Sequence, residues 1–330
     1  FTISPTFYLD ANGVTVKCRG CSAGDQGVVG GVIYTALDQT MFAAKNVTDN
    51  DWDRVVTTLV TDMSDKFKNA STFDQNISSW DTSNVSTTHE MFYGAHAFNG
   101  DIGNWDTSSV TDMQEMFHEA RAFNNGESNS INNWDTSSVT DMEFMFNGAQ
   151  GFNQNIGSWD TSSVTDMHQI FKGASVFNNG GSDSINNWDV SKVTLMSSMF
   201  QGTTFNQDIS NWNTSNVINM GSMFLGNTVF NQDISNWNTS KVTMMQEMFM
   251  NATGFNQDIG NWNTSNVTNM TSMFSGATAF NQDLSGWCVI NLSEPTDFKT
   301  TANATWINDS DKQPKWGTCP APQVILTDTD

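Results

Sequence analysis

Basic residues are scarce in this sequence: 13 Lys and Arg stand against 35 Asp and Glu, a formal net charge of −22. Ordinary nucleic-acid binding needs a cationic face that displaces phosphate counterions, so that class is excluded. The same deficit disfavours docking on anionic lipid, and it favours solubility and cation binding. No apolar run approaches the ~20 residues that cross a bilayer, so no membrane span is expected. No signal peptide is visible, and the opening FTISPTFYLD reads as a mature or truncated start. Proline is rare too. Four of the five prolines, Pro295, Pro314, Pro320 and Pro322, fall after residue 287, where regular structure is expected to end.

Cysteine is absent from the whole middle of the chain. Cys18 and Cys21 lie near one end, Cys288 and Cys319 near the other. An even count at the ends suggests disulfides and an oxidising compartment. Repeats stacked ~4.8 Å apart would hold Cys18 and Cys288 far beyond the ~7 Å that one disulfide spans. We therefore pair Cys18 with Cys21 and Cys288 with Cys319. A zinc half-site at Cys18-x-x-Cys21 is the rival, and it lacks a second pair nearby.

What is abundant is recurrence. Trp80, Trp105, Trp134, Trp159, Trp188, Trp212, Trp237, Trp262 and Trp287 follow one another at 24–29 residues. Phe73 to Phe280 and Phe67 to Phe274 form two further rows in step with them. A period of this length marks a solenoid, a propeller or an array, built of units that cannot bury their own apolar face. One unit holds Trp, two Phe and two Met, and only stacking can hide them. The Met and Trp rows are therefore read as core, with Trp alternatively an exposed ladder for sugar rings. Asn and Asp rows at the bends are expected to bond to the next coil. Within 110–120 the apolar spacing of three or four suggests a short helical stripe, with a short strand as the alternative reading of Val-Thr-x-Met. Two coils carry four extra residues, within 124–131 and 178–185, expected to bulge as matched loops.

These phrases resemble a known family. Asp-Thr-Ser-x-Val-Thr-Asp-Met-x-x-Met-Phe-x-Gly-Ala-x-x-Phe-Asn-Gln-Asp-Ile-x-x-Trp is similar to the bacterial surface protein repeat of BspA-like leucine-rich-repeat surface proteins. Residues 95–105, 164–188 and 242–287 carry the motif well, and 8–38 looks like the segment that often precedes such arrays. Thr88 and Ile170 replace its first and second Met, and Lys66 takes the second Met's place in the first coil. The resemblance implies a leucine-rich-repeat-like right-handed solenoid, secretion or surface display, and adhesion or recognition.

The expected architecture is thus a repeat solenoid of mixed short strands and short helical turns. Residues 1–56 would form a β-rich N-terminal cap, with Asn12-Gly13 turning a hairpin. Residues 57–287 would form nine coils of about 25 residues. Residues 288–330 would form a C-terminal cap stapled by Cys288–Cys319, ending in an extended tail with Val324, Ile325 and Leu326. Solenoids have two open ends, and head-to-tail contacts that do not close a ring make filaments. Strand donation by the tail is one such contact.

Catalytic signatures are missing. His89, His96, His118 and His168 occupy different repeat positions, and His118-Glu119 lacks a second His four residues on. No Gly-x-Ser-x-Gly, phosphate loop or dinucleotide fingerprint occurs. No cofactor is expected, and the chain is read as non-enzymatic. Two acidic rows do recur. Asp81, Asp106, Asp135, Asp160 and Asp189 follow Trp, and Asp62, Asp112, Asp141 and Asp166 precede Met. Calcium between rungs would relieve their repulsion, so the first five are candidate metal ligands; solvated turn carboxylates are the plainer reading. Thirteen sequons, at Asn46, Asn69, Asn76, Asn84, Asn213, Asn238, Asn251, Asn263, Asn266, Asn269, Asn291, Asn303 and Asn308, are glycosylation candidates.

The function expected is an extracellular structural or adhesive subunit that self-associates head to tail. The alternative is a monomeric recognition module for a protein or glycan. A polysaccharide-active enzyme is more remote. So is ice binding through a hydroxyl row of Thr107, Thr136, Thr161, Thr214, Thr239 and Thr264.

Overall fold

A computed structural model describes residues 4–320. The hairpin forms where Asn12-Gly13 lies: β1 (Thr6–Leu9) pairs antiparallel with β2 (Val16–Arg19). The Asn12 carboxamide oxygen closes the turn by accepting the N–H groups of Val14 and Thr15. A second sheet has the order β3 (Gln26–Val29), β4 (Val32–Asp38), β5 (Val55–Leu59), antiparallel and then parallel. The expected boundary at residues 56 and 57 falls inside β5, so cap and array share a strand. Between β4 and β5, α1 (Gln39–Ala44) starts on the Asp38 carboxylate, which accepts the Met41 N–H. Its Phe42 plugs the end of the tube, edge-on to Trp52 and Trp80 at 5.8 and 5.6 Å.

From Asp62 onward the chain is a repeat solenoid. Eight parallel one-residue bridges link Asp62, Thr87, Asp112, Asp141, Asp166, Leu195, Asn219, Met244 and Asn269 in turn. Around each bridge, alternate N–H groups donate to the next coil. In one coil Met113, Glu115, Phe117 and Glu119 donate to the carbonyls of Asp141, Glu143, Met145 and Asn147 at 3.2, 3.0, 2.9 and 2.7 Å. The stripe at 110–120 is therefore not helical. It is a run of tight turns, closed by Met116 N–H to Met113, His118 N–H to Glu115 and Ala120 N–H to Phe117. An isolated helix of eleven residues is marginal, and donors spent between coils are no longer available within one. Each such turn needs a left-handed residue. Glu115 and Glu119 take that role here, at φ 55° and 56°. In most coils the second left-handed position is glycine, Gly94 to Gly276, which pays no Cβ penalty there.

The aromatic rows are columns inside the tube. Phe67, Phe92, Phe117, Phe146, Phe171, Phe200, Phe224, Phe249 and Phe274 are fully buried and stack at 5.4–5.8 Å between neighbours. Trp80 stacks on Trp105 at 6.0 Å, Trp134 on Trp159 at 5.9 Å, and Trp188, Trp212, Trp237 and Trp262 run on at 6.3–6.4 Å. Each such aromatic pair is worth about 0.5–1.5 kcal/mol beyond its buried area. A buried indole N–H also needs an acceptor. Trp105 finds it in the Ile77 carbonyl one coil back at 3.1 Å, and every later Trp of the row repeats the bond with the corresponding Ile. The Met row is core as expected.

Lys66 explains its own departure from the Met slot. Its Nζ donates to the carbonyls of Phe42, Ala43 and Lys45 at the end of α1 and sits 4.9 Å from the Trp52 ring centre. Burial, with Lys45 nearby, pushes its pKa down to about 8. The ammonium fastens the cap to the first coil.

The two insertions are a matched pair, but they are pinned rather than loose. Asn125 and Asn179 are fully buried. The Asn125 Oδ1 accepts the Ile102 N–H at 2.9 Å while its Nδ2 donates to the Ser128 carbonyl at 2.7 Å, and Asn179 repeats both bonds. Asn125→Ala leaves a buried N–H and a carbonyl unpaired, so it should cost about 1–3 kcal/mol in urea unfolding. Substituting the exposed neighbour Asn129 should cost almost nothing.

Both expected disulfides form, Cys18–Cys21 and Cys288–Cys319. The coil geometry outlasts residue 287, against expectation. Ser272, Phe274 and Gly276 donate to the carbonyls of Thr296, Phe298 and Thr300, and Asp297 and Thr301 are left-handed like their counterparts. Then α2 (Ala304–Asn308) sets Trp306 edge-on to Phe274 and Phe280, closing the core. The tail strand expected at Val324, Ile325 and Leu326 lies outside the described residues.

Candidate functional surfaces

The five candidate metal aspartates are turn caps. Asp106 and Asp135 each accept the N–H and hydroxyl of the Ser two residues on, at 3.1 and 2.6 Å and at 3.0 and 2.6 Å. Asp160 and Asp189 accept the Ser162 and Ser191 N–H, both at 2.9 Å. Asp81 does the same with Ser83 and adds Thr58 and Lys17. The serine hydroxyl, then the serine N–H, hold Asp135, Asp160 and Asp189 below the usual carboxylate range. Asn213, Asn238 and Asn263 accept the same N–H, so Asp and Asn interchange along this row. No group of three or more His, Cys, Asp or Glu among the described residues is placed to hold a metal.

The other acidic row lies on the bridges themselves. Burial raises the Asp141 pKa, and Asp112 and Asp166 on either side add to the rise, against the lowering bond from the Glu143 N–H. Burial likewise raises Glu143, helped by Asp166 and Asp141. A raised folded-state pKa means that the group's stabilising contribution is present at low pH and is lost as pH rises through that value. Asp141→Asn removes the charge yet keeps the acceptor, as Asn219 does for Gly221. It should raise the melting temperature at pH 7, and the gain should vanish near pH 3; equal effects at both would refute it.

The hydroxyl row is not a surface. Thr107, Thr136, Thr161, Thr214, Thr239 and Thr264 are buried, and each donates to a backbone carbonyl of the next coil at 2.8–3.1 Å. That arrangement removes the basis for ice binding. A different row behaves as the bends were expected to. The Oδ1 of Asn99, Asn124, Asn153, Asn178, Asn206, Asn231 and Asn256 each accepts the N–H of the equivalent Asn one coil on, at 2.7–2.9 Å.

The sequons divide by the state of the nitrogen that would carry sugar. In Asn84, Asn266 and Asn291, Nδ2 donates to a carbonyl one coil back at 2.7–2.8 Å. Asn303 and Asn308 also spend theirs on backbone. Asn46, Asn69, Asn76, Asn213, Asn238, Asn251 and Asn263 are exposed, and among the described residues their Nδ2 is not hydrogen-bonded; Asn269 is half-buried.

One surface was not legible in the sequence. Tyr93, His118, Phe144 and His168 form an aromatic strip over four coils, with ring centres 4.6, 5.9 and 5.2 Å apart. Glu115 holds His118 at 2.8 Å, and Lys68 lies over Tyr93. The strip escaped detection because Phe144 and His168 sit at other repeat positions than Tyr93 and His118. A groove of about 500 Å³ is open and lined by polar groups such as Asp74, Asn76, Asn99 and Asp101, with no histidine. Among the described residues no helix is long and apolar enough to cross a membrane.

The fold thus defines a repeat solenoid. A family model described as "Mycoplasma protein of unknown function, DUF285" matches residues 35–130, 125–204 and 180–287. The chain belongs to that family. No curated protein matches it. Among solved structures, a crystal structure of a TLR13–ssRNA13 complex is 10% identical over 78% of this chain and 56% of that one, with a TM-score of 0.17. The chain spans about half the length of that structure's chain, and so low a score carries no argument about fold or ligand.

Proposed function

We propose that this is a non-enzymatic, extracellular structural or adhesive protein: a leucine-rich-repeat-like tube of nine repeats, of the bacterial surface protein type, that self-associates head to tail. The observation that carries the reading is where the repeated chemistry goes. Trp, Phe, Met, Thr and Asn rows are all spent joining one coil to the next, which makes a stiff rod. The terminal disulfides support an oxidising, extracellular setting. Sequons with exposed, unbonded nitrogens support a glycoprotein. Light scattering against concentration tests the reading, with electron microscopy of the same samples. Growing mass and end-to-end rods are expected; a single monomer mass at all concentrations would overturn self-association.

A second reading is favoured by the strip from Tyr93 to His168. Rings in contact, tilted, stacked and edge-on in turn, with the Glu115 carboxylate on His118, suit a recognition module that binds a protein or glycan on one face. Phe144→Ala together with Tyr93→Ala should then abolish ligand capture and leave the particle mass unchanged.

A further inference from the structure

The two ends of the tube carry matching halves of one hydrogen-bond ladder. Along the bridge face alternate N–H groups of a coil donate forward to carbonyls of the next, while one N–H before them, such as Thr111 to Ser86, donates backward. At the C-terminal end the final donors are the N–H groups of Asp297, Lys299 and Thr301, which have no acceptor among the described residues. At the N-terminal end the carbonyls of Ser64, Lys66 and Lys68 have no donor among them. A coil has four such pairs, and the fourth is cancelled on both sides. Pro295 stands 25 residues after Met270 and 50 after Met245, whose N–H donates to the Asn269 carbonyl. Proline has no N–H to give. The carbonyl that would have met it, that of Asp62, is already taken by the Gln39 side chain at 2.7 Å.

Both rows look into open grooves. The donor row borders one of about 430 Å³ beside α2, with Ile307 and Asn308 on its far wall. The acceptor row borders one of about 390 Å³ beside α1, with Phe42 and Lys45. Exposed backbone donors in a row are a template for another chain. This row has unusual spacing, because left-handed residues at Asp297 and Thr301 separate the donors. The partner with carbonyls at that spacing is the first coil of a second copy.

We propose that copies of this chain join by continuing the ladder: Asp297, Lys299 and Thr301 of one copy donate to Ser64, Lys66 and Lys68 of the next. This rests on the self-association proposed above and assigns its surfaces and register. The register brings Asp297 against Asp65 and Glu294 against Asp62, with Lys68 already 3.1 Å from Asp65 and Lys299 3.8 Å from Glu294.

The test is cross-linking by mixture. The register places Thr296 opposite Ser64, with backbones ~4.8 Å apart, within disulfide reach. Thr296→Cys protein mixed with Ser64→Cys protein under mild oxidant should give a covalent dimer. Thr300→Cys mixed with Ser64→Cys is out of register and should give at least about tenfold less, since that offset exceeds the ~7 Å limit. Equal yields from both mixtures overturn the register. Growing mass by light scattering with no cross-link in either mixture also overturns it, yet leaves self-association standing. A constant monomer mass sinks both.

Discussion

Phe224→Ala should cost about 3–5 kcal/mol in chemical unfolding, the range for deleting a fully buried aromatic ring. Phe224 is fully buried and touches four rings: Phe200 and Phe249 at 5.7 Å, Phe230 at 3.9 Å and Trp237 at 6.4 Å. It sits mid-array, where each coil is held only by its neighbours. In a one-dimensional stack the lost interface weakens coupling across the break, so unfolding should also become less cooperative. Trp fluorescence and limited proteolysis check both effects, with cleavage expected near the substituted coil. The exposed Val229→Ala is the control and should stay within about 0.5 kcal/mol. A cost below that for Phe224 would mean that the columns do not carry the fold.

Opening Cys288–Cys319 by a double alanine substitution should cost about 3–4 kcal/mol, from the chain entropy of a closed loop with separation 31. The loss should be local. The disulfide ties the first residue after the last Trp of the row to the end of the cap, and the strap between them is held by Val289 N–H to Thr318 and Gly317 N–H to Val289. Hydrogen exchange should therefore rise around Trp306 and the last coil before it rises in the middle of the array. Cys18–Cys21 has a separation of 3, and its removal should cost nearer 2 kcal/mol. A disulfide-free C-terminal variant with unchanged exchange at the cap would refute the assignment of Trp306 as the core's lid.

Several features of the architecture were legible because repetition writes them many times. The Trp and Phe rows, the Met core and the hairpin at Asn12-Gly13 all follow from spacing and residue type. Helix against turn was not legible. The 110–120 stripe has helical spacing, and only the presence of a next coil diverts its N–H groups into the ladder. The remote reading of the Thr row as a surface rested on its hydroxyls; their partner carbonyl lies one coil away and is invisible to a single repeat. Lys66 read as a departure from the Met row, and Pro295 as a sign that regular coiling had ended. Each proves to be a terminus device, one fastening α1 and the other removing a donor.

Periodicity alone determined that like side chains must meet like side chains, because no single unit can hide two Phe, a Trp and two Met from water. It also determined the cysteine pairing, since a long stack forbids a bond between its ends. Only the folded tube decided which polar groups face outward, how the backbone turns, which rings line up across unlike positions, and which backbone N–H and C=O groups at the two ends lack a partner among the described residues. Those outcomes depend on hydrogen bonds between coils about 25 residues apart, and a donor's partner at that distance is set by three-dimensional register.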